Sequence, residues 1–180
     1  SISLAKAGAR VDLYERLSDE ELVKRDRTYA ITHSSRRIFE KIGIWSYIES
    51  DLVPFKFLNV IDNILNKTVN FDVYDLRKKD QKYLSVGWIA EHCKLMPVML
   101  EFISLIDNIN KIPTSVIPNT NNYDLIVAAD GVNSVTKKRL KTPSFCFNYD
   151  QMCITAKVLI RGLKSYEALE ILNTEGPFAV

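Results

Sequence analysis

The sequence has 180 residues, of which 47% are hydrophobic and 26% are charged, a composition typical of one soluble globular domain. The net charge of +2 gives no electrostatic case for nucleic-acid binding. No apolar stretch in the sequence has the length of a membrane span, and three cysteines without metal or redox spacing indicate a reducing cytoplasmic setting.

The N-terminal segment has the pattern of a helix followed by a strand. Residues 1–8 are rich in apolar side chains and end in Gly8, which suits a helix terminus. Val11–Glu15 then alternates and ends in an acidic residue. Helix, glycine, strand and carboxylate form the second half of a βαβ dinucleotide-binding unit, in which the carboxylate binds ribose hydroxyls. A surface glutamate after an edge strand is the alternative that these residues leave open.

A charged run and a short helix come next. Within residues 24–27, Arg27 is a candidate for binding phosphate, although a solvated charge run is the simpler interpretation of these residues alone. Ser34 or Ser35 predicts the start of a helix over Arg36–Ile42, and the glycine at position 43 predicts its end. His33 is expected to be an exposed turn residue.

The middle of the chain predicts strands and one longer helix. Phe55–Asp62 and Thr68–Tyr74 have the pattern of two antiparallel strands. Gly87–His92 predicts a further strand, and Leu95–Ile106 a helix with a proline in its first turn. The linker over residues 107–122 has room for one strand at most, at Thr114–Ile117.

The segment with the clearest nucleotide-binding pattern follows this linker. Leu125–Ala129 is a short apolar run that predicts a buried strand, and Asp130-Gly131 predicts a sharp turn at its carboxyl end. Asn133 or Ser134 can cap a helix over Val135–Leu140. A polar loop between a strand and a helix is where α/β folds bind nucleotides.

The string D-L-I-V-A-A-D-G-V-N-S at positions 124–134 resembles the second conserved motif of flavin-dependent aromatic hydroxylases, the para-hydroxybenzoate hydroxylase-like class. Within this class it is most similar to the ubiquinone-biosynthesis hydroxylases. Other family-like segments occur in the expected order, including a strand predicted at Ile154–Ile160 and the ending G-P-F-A-V at positions 176–180.

The resemblance implies an α/β fold in which an FAD-binding Rossmann-like domain of three layers (ββα) carries an inserted antiparallel substrate-binding sheet. Residues 1–50 and 87–145 would form the FAD-binding domain, and residues 51–86 and 146–180 the sheet. The Gly-rich loop that precedes the first helix in the family and the later Gly-Asp motif are missing from the sequence. We therefore expect a fragment whose domains are incomplete at both ends.

The resemblance also implies the site residues. Glu15, with Arg16 beside it, would bind the adenosine ribose of FAD, and Arg27 would lie against the flavin and its pyrophosphate. Asp130, Gly131 and Ser134 would lie near the pyrophosphate and be linked to NAD(P)H use. No catalytic acid, base or nucleophile and no metal ligand is expected, because the cofactor supplies the chemistry.

By resemblance the protein is an FAD- and NAD(P)H-dependent monooxygenase. NAD(P)H would reduce the flavin, O2 would add at C4a, and the hydroperoxide would hydroxylate an aromatic ring. The substrate implied is a polyprenylated phenol or quinol of quinone biosynthesis, and peripheral membrane association is left open.

Two alternatives remain. A kynurenine 3-monooxygenase-like enzyme shares the motifs, although the ending at Gly176–Val180 favours the quinone branch. A truncated, non-catalytic relative would fit the missing glycines and the shortened segment before residue 123, and we expect the isolated chain to be inactive.

Overall fold

The structure, a computed structural model, describes residues 1–114, 116, 118–162 and 165–180. Helices α1 to α7 are Ile2–Lys6, Asp19–Val23, His33–Ile42, Trp45–Ile48, Lys78–Gln81, His92–Ser104 and Val135–Arg139. Strands β1 to β9 are Val11–Glu15, Thr28–Ile31, Val53–Phe55, Phe57–Asp62, Lys67–Asp72, Gly87–Glu91, Ile109–Pro113, Glu167–Asn173 and Gly176–Ala179. The mixed α/β class that the sequence predicts is confirmed.

The strands of the described residues form three sheets. β1 and β7 pair in parallel, whereas β6 lies between β2 and β3 and is antiparallel to both. The third sheet has the order β5-β4-β8-β9, in which β4 and β8 are parallel and the two outer pairs are antiparallel. This sheet therefore joins the predicted hairpin to two strands from much later in the sequence.

The core lies where α3, α4 and α6 cover the sheet formed by β2, β6 and β3. Ile44 and Ile48 are 0% and 1% exposed, and the Trp45 and Trp88 rings meet edge to face with centroids 5.0 Å apart. Burial of each such aliphatic side chain stabilises the fold by about 1.5–3 kcal/mol. This cluster joins α1, α3, α4, β2, β6 and α6, so both β2 and the start of α6 are fixed against it.

Helix α3 begins earlier than predicted. Thr32, and not Ser34 or Ser35, is the N-cap, since its hydroxyl accepts the Ser35 N–H at 3.4 Å. The predicted end at Gly43 is confirmed, because this residue has φ +82° in the left-handed region that glycine favours. The prediction that His33 is exposed was wrong: it is 6% exposed, and its Nε2–H donates to the Ser85 carbonyl at 2.9 Å.

Helix α6 also begins earlier than the predicted residue 95. The His92 side chain fixes its start, because Nδ1 accepts from the Tyr29 hydroxyl at 2.8 Å and Nε2–H donates to the Leu22 carbonyl at 2.6 Å. Pro97 therefore lies inside the helix instead of in its first turn. The helix loses one backbone hydrogen bond there, since proline has no N–H.

The predicted strand Leu125–Ala129 is not formed. Leu125 and Val127 are 65% and 61% exposed, and no strand of the described residues pairs with this segment. A central parallel strand is stable only with hydrogen-bonded neighbours on its edges, so an apolar run without such neighbours does not form a strand. In the linker before it, β7 forms at Ile109–Pro113, while the predicted strand Thr114–Ile117 includes residues 115 and 117, which lie outside the described residues.

The predicted strand Ile154–Ile160 is also not formed. Ile154 and Leu159 are 89% and 91% exposed. β8, which the sequence does not predict, takes the position beside β4 through the register Phe57↔Glu167 to Asp62↔Leu172. The family-like ending at positions 176–180 contains β9, Gly176–Ala179. The division into two domains stays a prediction.

Candidate functional site

Glu15 lies at the carboxyl end of β1, where the parallel strand β7 also ends. The register runs from Val11↔Ile109 to Glu15↔Pro113. One carboxylate oxygen of Glu15, Oε1, accepts the Leu17 N–H at 3.0 Å, which fixes the side chain at the sheet edge. Within the described residues no hydrogen bond to the second oxygen is formed. This oxygen can therefore accept a hydrogen bond from a ligand hydroxyl. The neighbouring Arg16 is exposed.

Asp130, Gly131 and Ser134 form a closed loop at the start of α7. The Asp130 carboxylate accepts hydrogen bonds from the Ser134 hydroxyl and, at 3.0 Å, from the Thr136 N–H. The Ser134 hydroxyl accepts in turn from the Lys137 N–H at 2.9 Å, so that the predicted cap by Ser134 is confirmed. Gly131 has φ +84°, the conformation that this turn requires.

The hydrogen bonds of this loop explain the ionisation of its acid. The Ser134 hydroxyl first, and then the Thr136 N–H, hold the pKa of the Asp130 carboxyl well below its ordinary value. Its negative charge faces the N-terminus of α7, where the helix dipole stabilises it. Asp130 is therefore an ionised residue that orders the loop, and it is unsuited to donating a proton near neutral pH.

Arg27 precedes β2 and is exposed. Its carbonyl accepts the His92 N–H at 2.8 Å, which fixes the backbone at the junction of β2 and α6. Its guanidinium forms no ion pair among the described residues. The side chain is available to an anionic ligand such as a phosphate.

A tyrosine pair that the sequence does not predict connects the chain before the Asp130 loop to β1. The Tyr123 hydroxyl donates to Asp12 Oδ2 at 2.6 Å and lies 2.7 Å from the Tyr14 hydroxyl. Asp12 also accepts from the Asn110 amide at 3.1 Å, so the same carboxylate connects β1, β7 and this tyrosine. No local pattern signals these contacts, because the partners are far apart in the sequence.

A cluster of ion pairs that the sequence does not predict surrounds Asp80, which is 2% exposed. Its carboxylate binds the guanidinium groups of Arg36 at 2.9 Å and Arg37 at 3.0 Å, and Arg77 lies 3.4 Å away. Burial would raise the pKa of Asp80, but the charges of Arg37, His33 and Arg77 outweigh it and hold this pKa below its ordinary value. The cluster fixes α3 against residues 77–85 and reaches none of the predicted site residues.

The candidate residues remain in three groups: Glu15 with Arg16, Arg27, and the Asp130 loop. Among the described residues no hydrogen bond or ion pair joins one group to another. No set of three metal-ligating side chains occurs in the described part of the chain. The carboxylates and guanidinium groups of these residues are of the kinds that bind hydroxyls and phosphates.

None of the described helices combines the length and apolar character needed to cross a membrane.

Comparison with known proteins gives distant relatives. No family model matches the sequence. An uncharacterized protein of Synechocystis sp. is 24% identical over 98% of this chain and 46% of its own length. The mitochondrial ubiquinone biosynthesis monooxygenase COQ6 of Dictyostelium discoideum is 23% identical over 77% of this chain and 33% of its own length. COQ6 of Drosophila melanogaster is 26% identical over 73% of this chain and 31% of its own length.

The chain is similar to ubiquinone biosynthesis monooxygenases. It spans less than half the length of these relatives. Among solved structures, a mutant of P. aeruginosa PqsL matches 80% of this chain and 42% of its own with a TM-score of 0.60. The sequence identity is 16%, so this likeness concerns the fold alone.

Proposed function

We propose that this protein is an FAD-dependent monooxygenase that uses NAD(P)H and O2 to hydroxylate an aromatic ring. The substrate class that we propose is a polyprenylated phenol or quinol of quinone biosynthesis. The similarity to the two COQ6 monooxygenases supports the reaction class. The observation that carries the proposal is the Glu15 carboxylate at the carboxyl end of a parallel strand pair, with one oxygen fixed by the backbone and one unpaired within the described chain.

The residues present fit part of an FAD site. Glu15 can accept a hydrogen bond from a hydroxyl of the adenosine ribose. Its carboxylate is held at the sheet edge by one oxygen, and the other oxygen forms no hydrogen bond among the described residues. Arg27 has the charge and exposure to bind the pyrophosphate. When bound, FAD supplies the electron transfer and the O2 activation. The protein residues hold and orient it.

The Asp130 loop has a structural part in this proposal. Both Asp130 oxygens and the Ser134 hydroxyl are occupied inside the loop. A cofactor would therefore be contacted by the loop backbone, whose turn depends on Gly131. The Tyr123 hydrogen bonds to β1 position the chain that leads into this loop.

A flavin titration tests the proposal. We expect the purified chain to quench FAD fluorescence with saturable binding. Glu15→Ala should raise the dissociation constant by about tenfold or more, as a hydrogen bond to a charged group contributes roughly 1.5–3 kcal/mol. Arg27→Gln should weaken binding similarly, and more at low ionic strength than at high.

Matched controls are available nearby. Glu20→Gln and Arg25→Gln change exposed charges of the same kinds close in the sequence and should leave the dissociation constant within about twofold. Equal binding by wild type, Glu15→Ala and Arg27→Gln would contradict the assigned contacts. No FAD binding would overturn the proposed function for this chain. FAD binding without NAD(P)H-dependent O2 consumption would support the non-catalytic alternative.

A further inference from the structure

A cavity of about 480 Å³ lies away from the candidate FAD residues, between the first residues of β4 and the chain that follows β5. None of Glu15, Arg27 and the Asp130 loop lines it. Its volume is in the range of small-molecule sites in proteins. The residues that line it are Lys56, Phe57, Asp72, Val73, Tyr74, Gln81, Lys82 and Leu84.

Hydrogen bonds hold the wall of this cavity in place without a ligand. Asp72 caps the turn at Val73–Asp75, since its carboxylate accepts the Tyr74 N–H at 2.7 Å. The Gln81 amide donates to the carbonyls of Tyr74 at 3.1 Å and Leu76 at 2.9 Å. These contacts fix the wall to the preceding turn, so a ligand would meet a preformed site.

One wall residue has a strained backbone. Leu84 has φ +53°, in the left-handed region that non-glycine residues rarely adopt, and its side chain is 66% exposed. Its N–H donates to the Gln81 carbonyl at 3.0 Å. An apolar side chain held at an unfavourable φ and exposed beside a cavity is the kind of strain that accompanies ligand contacts.

The charges at the cavity are unbalanced. Lys56 and Lys82 form no ion pair among the described residues; their ammonium groups lie 4.9 Å and 5.0 Å from the centroids of the Tyr166 and Tyr83 rings. The Asp72 carboxylate is directed to its own turn. Positive charge therefore flanks an apolar surface that includes Phe57.

We propose that this cavity binds an amphiphilic anion, a molecule with an aromatic or aliphatic body and a single carboxylate or sulfonate group. The body contacts Phe57, Val73 and Leu84, and the anionic group pairs with Lys56 and Lys82. Charge complementarity favours this class, because an anionic group at the cavity edge would meet two ammonium groups that form no ion pair among the described residues. The cavity lies within residues 51–86, which the sequence predicts as part of the substrate-binding sheet, and its proposed ligand is tested without FAD or the hydroxylation reaction.

The test compares two fluorescent probes with the same aromatic body. We expect 8-anilinonaphthalene-1-sulfonate to bind at one saturable site, and the doubly substituted variant K56Q/K82Q to bind it roughly tenfold more weakly. The neutral probe N-phenyl-1-naphthylamine should bind wild type and this variant equally. The matched variant K67Q/K79Q removes two exposed lysines that do not line the cavity and should bind the sulfonate as wild type does.

A second variant tests the apolar wall. Leu84→Gly relieves the positive φ while it removes the side chain, so the fold should keep its stability and both probes should bind several-fold more weakly. Sulfonate binding that is unchanged in K56Q/K82Q, or that never saturates, would overturn the proposal. Binding that weakens as much in K67Q/K79Q would also overturn it.

Discussion

At the residue scale, the buried ion pairs of the Asp80 cluster all involve one side chain, that of Asp80. Asp80 and Arg36 have side chains that are only 3% and 4% exposed, so protein groups and not water must compensate their charges: Arg37 also pairs with Asp80, and Glu40 with Arg36. Arg36 is further constrained by the Tyr83 ring, whose centroid lies 3.7 Å from the guanidinium carbon. Since Glu40 lies in α3 itself, the Asp80 carboxylate is the partner that joins the Arg36 and Arg37 side chains of α3 to residues 77–85.

We predict that Asp80→Asn destabilises the protein by about 3–5 kcal/mol, because it breaks the buried ion pairs with Arg36 and Arg37 and leaves Arg36 only its pair with Glu40. Urea unfolding measures this loss, and Asp51→Asn, at an exposed aspartate, should cost less than about 0.5 kcal/mol. Because the folded pKa of Asp80 is lowered, its contribution is complete above the unfolded pKa of about 3.9 and is lost as the pH falls further. The difference in free energy of unfolding between wild type and Asp80→Asn should decrease below about pH 4. A difference that does not change with pH would contradict this assignment.

Some of these residues could be found from sequence and others could not. Glu15 was predicted correctly as the end of a strand, because alternation and the preceding glycine are local signals. Asp80 lies in a run of lysines and resembles a solvated residue, and its partners at positions 36 and 37 are brought to it only by folding. The same holds for Tyr123 and Asp12. Which charges are buried is decided by tertiary structure.

At the element scale, prediction succeeded at two helix ends, missed the starts of α3 and α6, and failed for strands whose partners come from elsewhere in the chain. The end of α3 at Gly43 and the start of α7 at Ser134 follow from residues that satisfy the helix ends themselves. The apolar run Leu125–Ala129 has the composition of a strand, but strand formation requires a partner that the described chain does not supply. The hairpin of β4 and β5 was predictable because each strand brings its own partner.

We predict that Gly43→Ala destabilises the protein by about 1 kcal/mol, because the left-handed conformation at φ +82° disfavours a Cβ. The new Cβ would also meet Lys6 Nζ at 2.9 Å, but this end of a flexible side chain can move away. Thermal unfolding measures the effect. Ser46→Ala, at an exposed position of α4, should be neutral or slightly stabilising, and equal losses in both variants would argue against the conformational cause.

At the scale of the whole molecule, order is unevenly distributed along the chain. The segment from residue 143 to residue 161 contains no helix or strand and exposes large side chains such as Phe145 and Met152, at 93% and 94%. The ion pair of Lys157 with Glu91, at 2.7 Å between Nζ and Oε2, is on the surface and contributes little. The core around Trp88 has much the greater local stability.

We predict that limited proteolysis cuts first within residues 143–161, because an exposed segment without helix or strand hydrogen bonds enters a protease cleft readily. Chymotrypsin should cleave after the exposed Phe147 or Tyr149 before it cleaves at the buried Trp45 or Trp88. Mass spectrometry of the first fragments decides the order. Initial cleavage inside the core would contradict the assigned distribution of stability.

The parallel pairing of β4 with β8 has a consequence for how the chain is made. β4 and its hairpin partner β5 leave the ribosome early, but β8 is synthesised only after all of α6, β7 and α7. During that interval one flank of β4 is an unpaired edge that carries Val60 and Ile61, and such edges are templates for pairing with other chains. Efficient expression is therefore expected to depend on chaperones and on slow synthesis at low temperature, which keep nascent chains apart until β8 arrives.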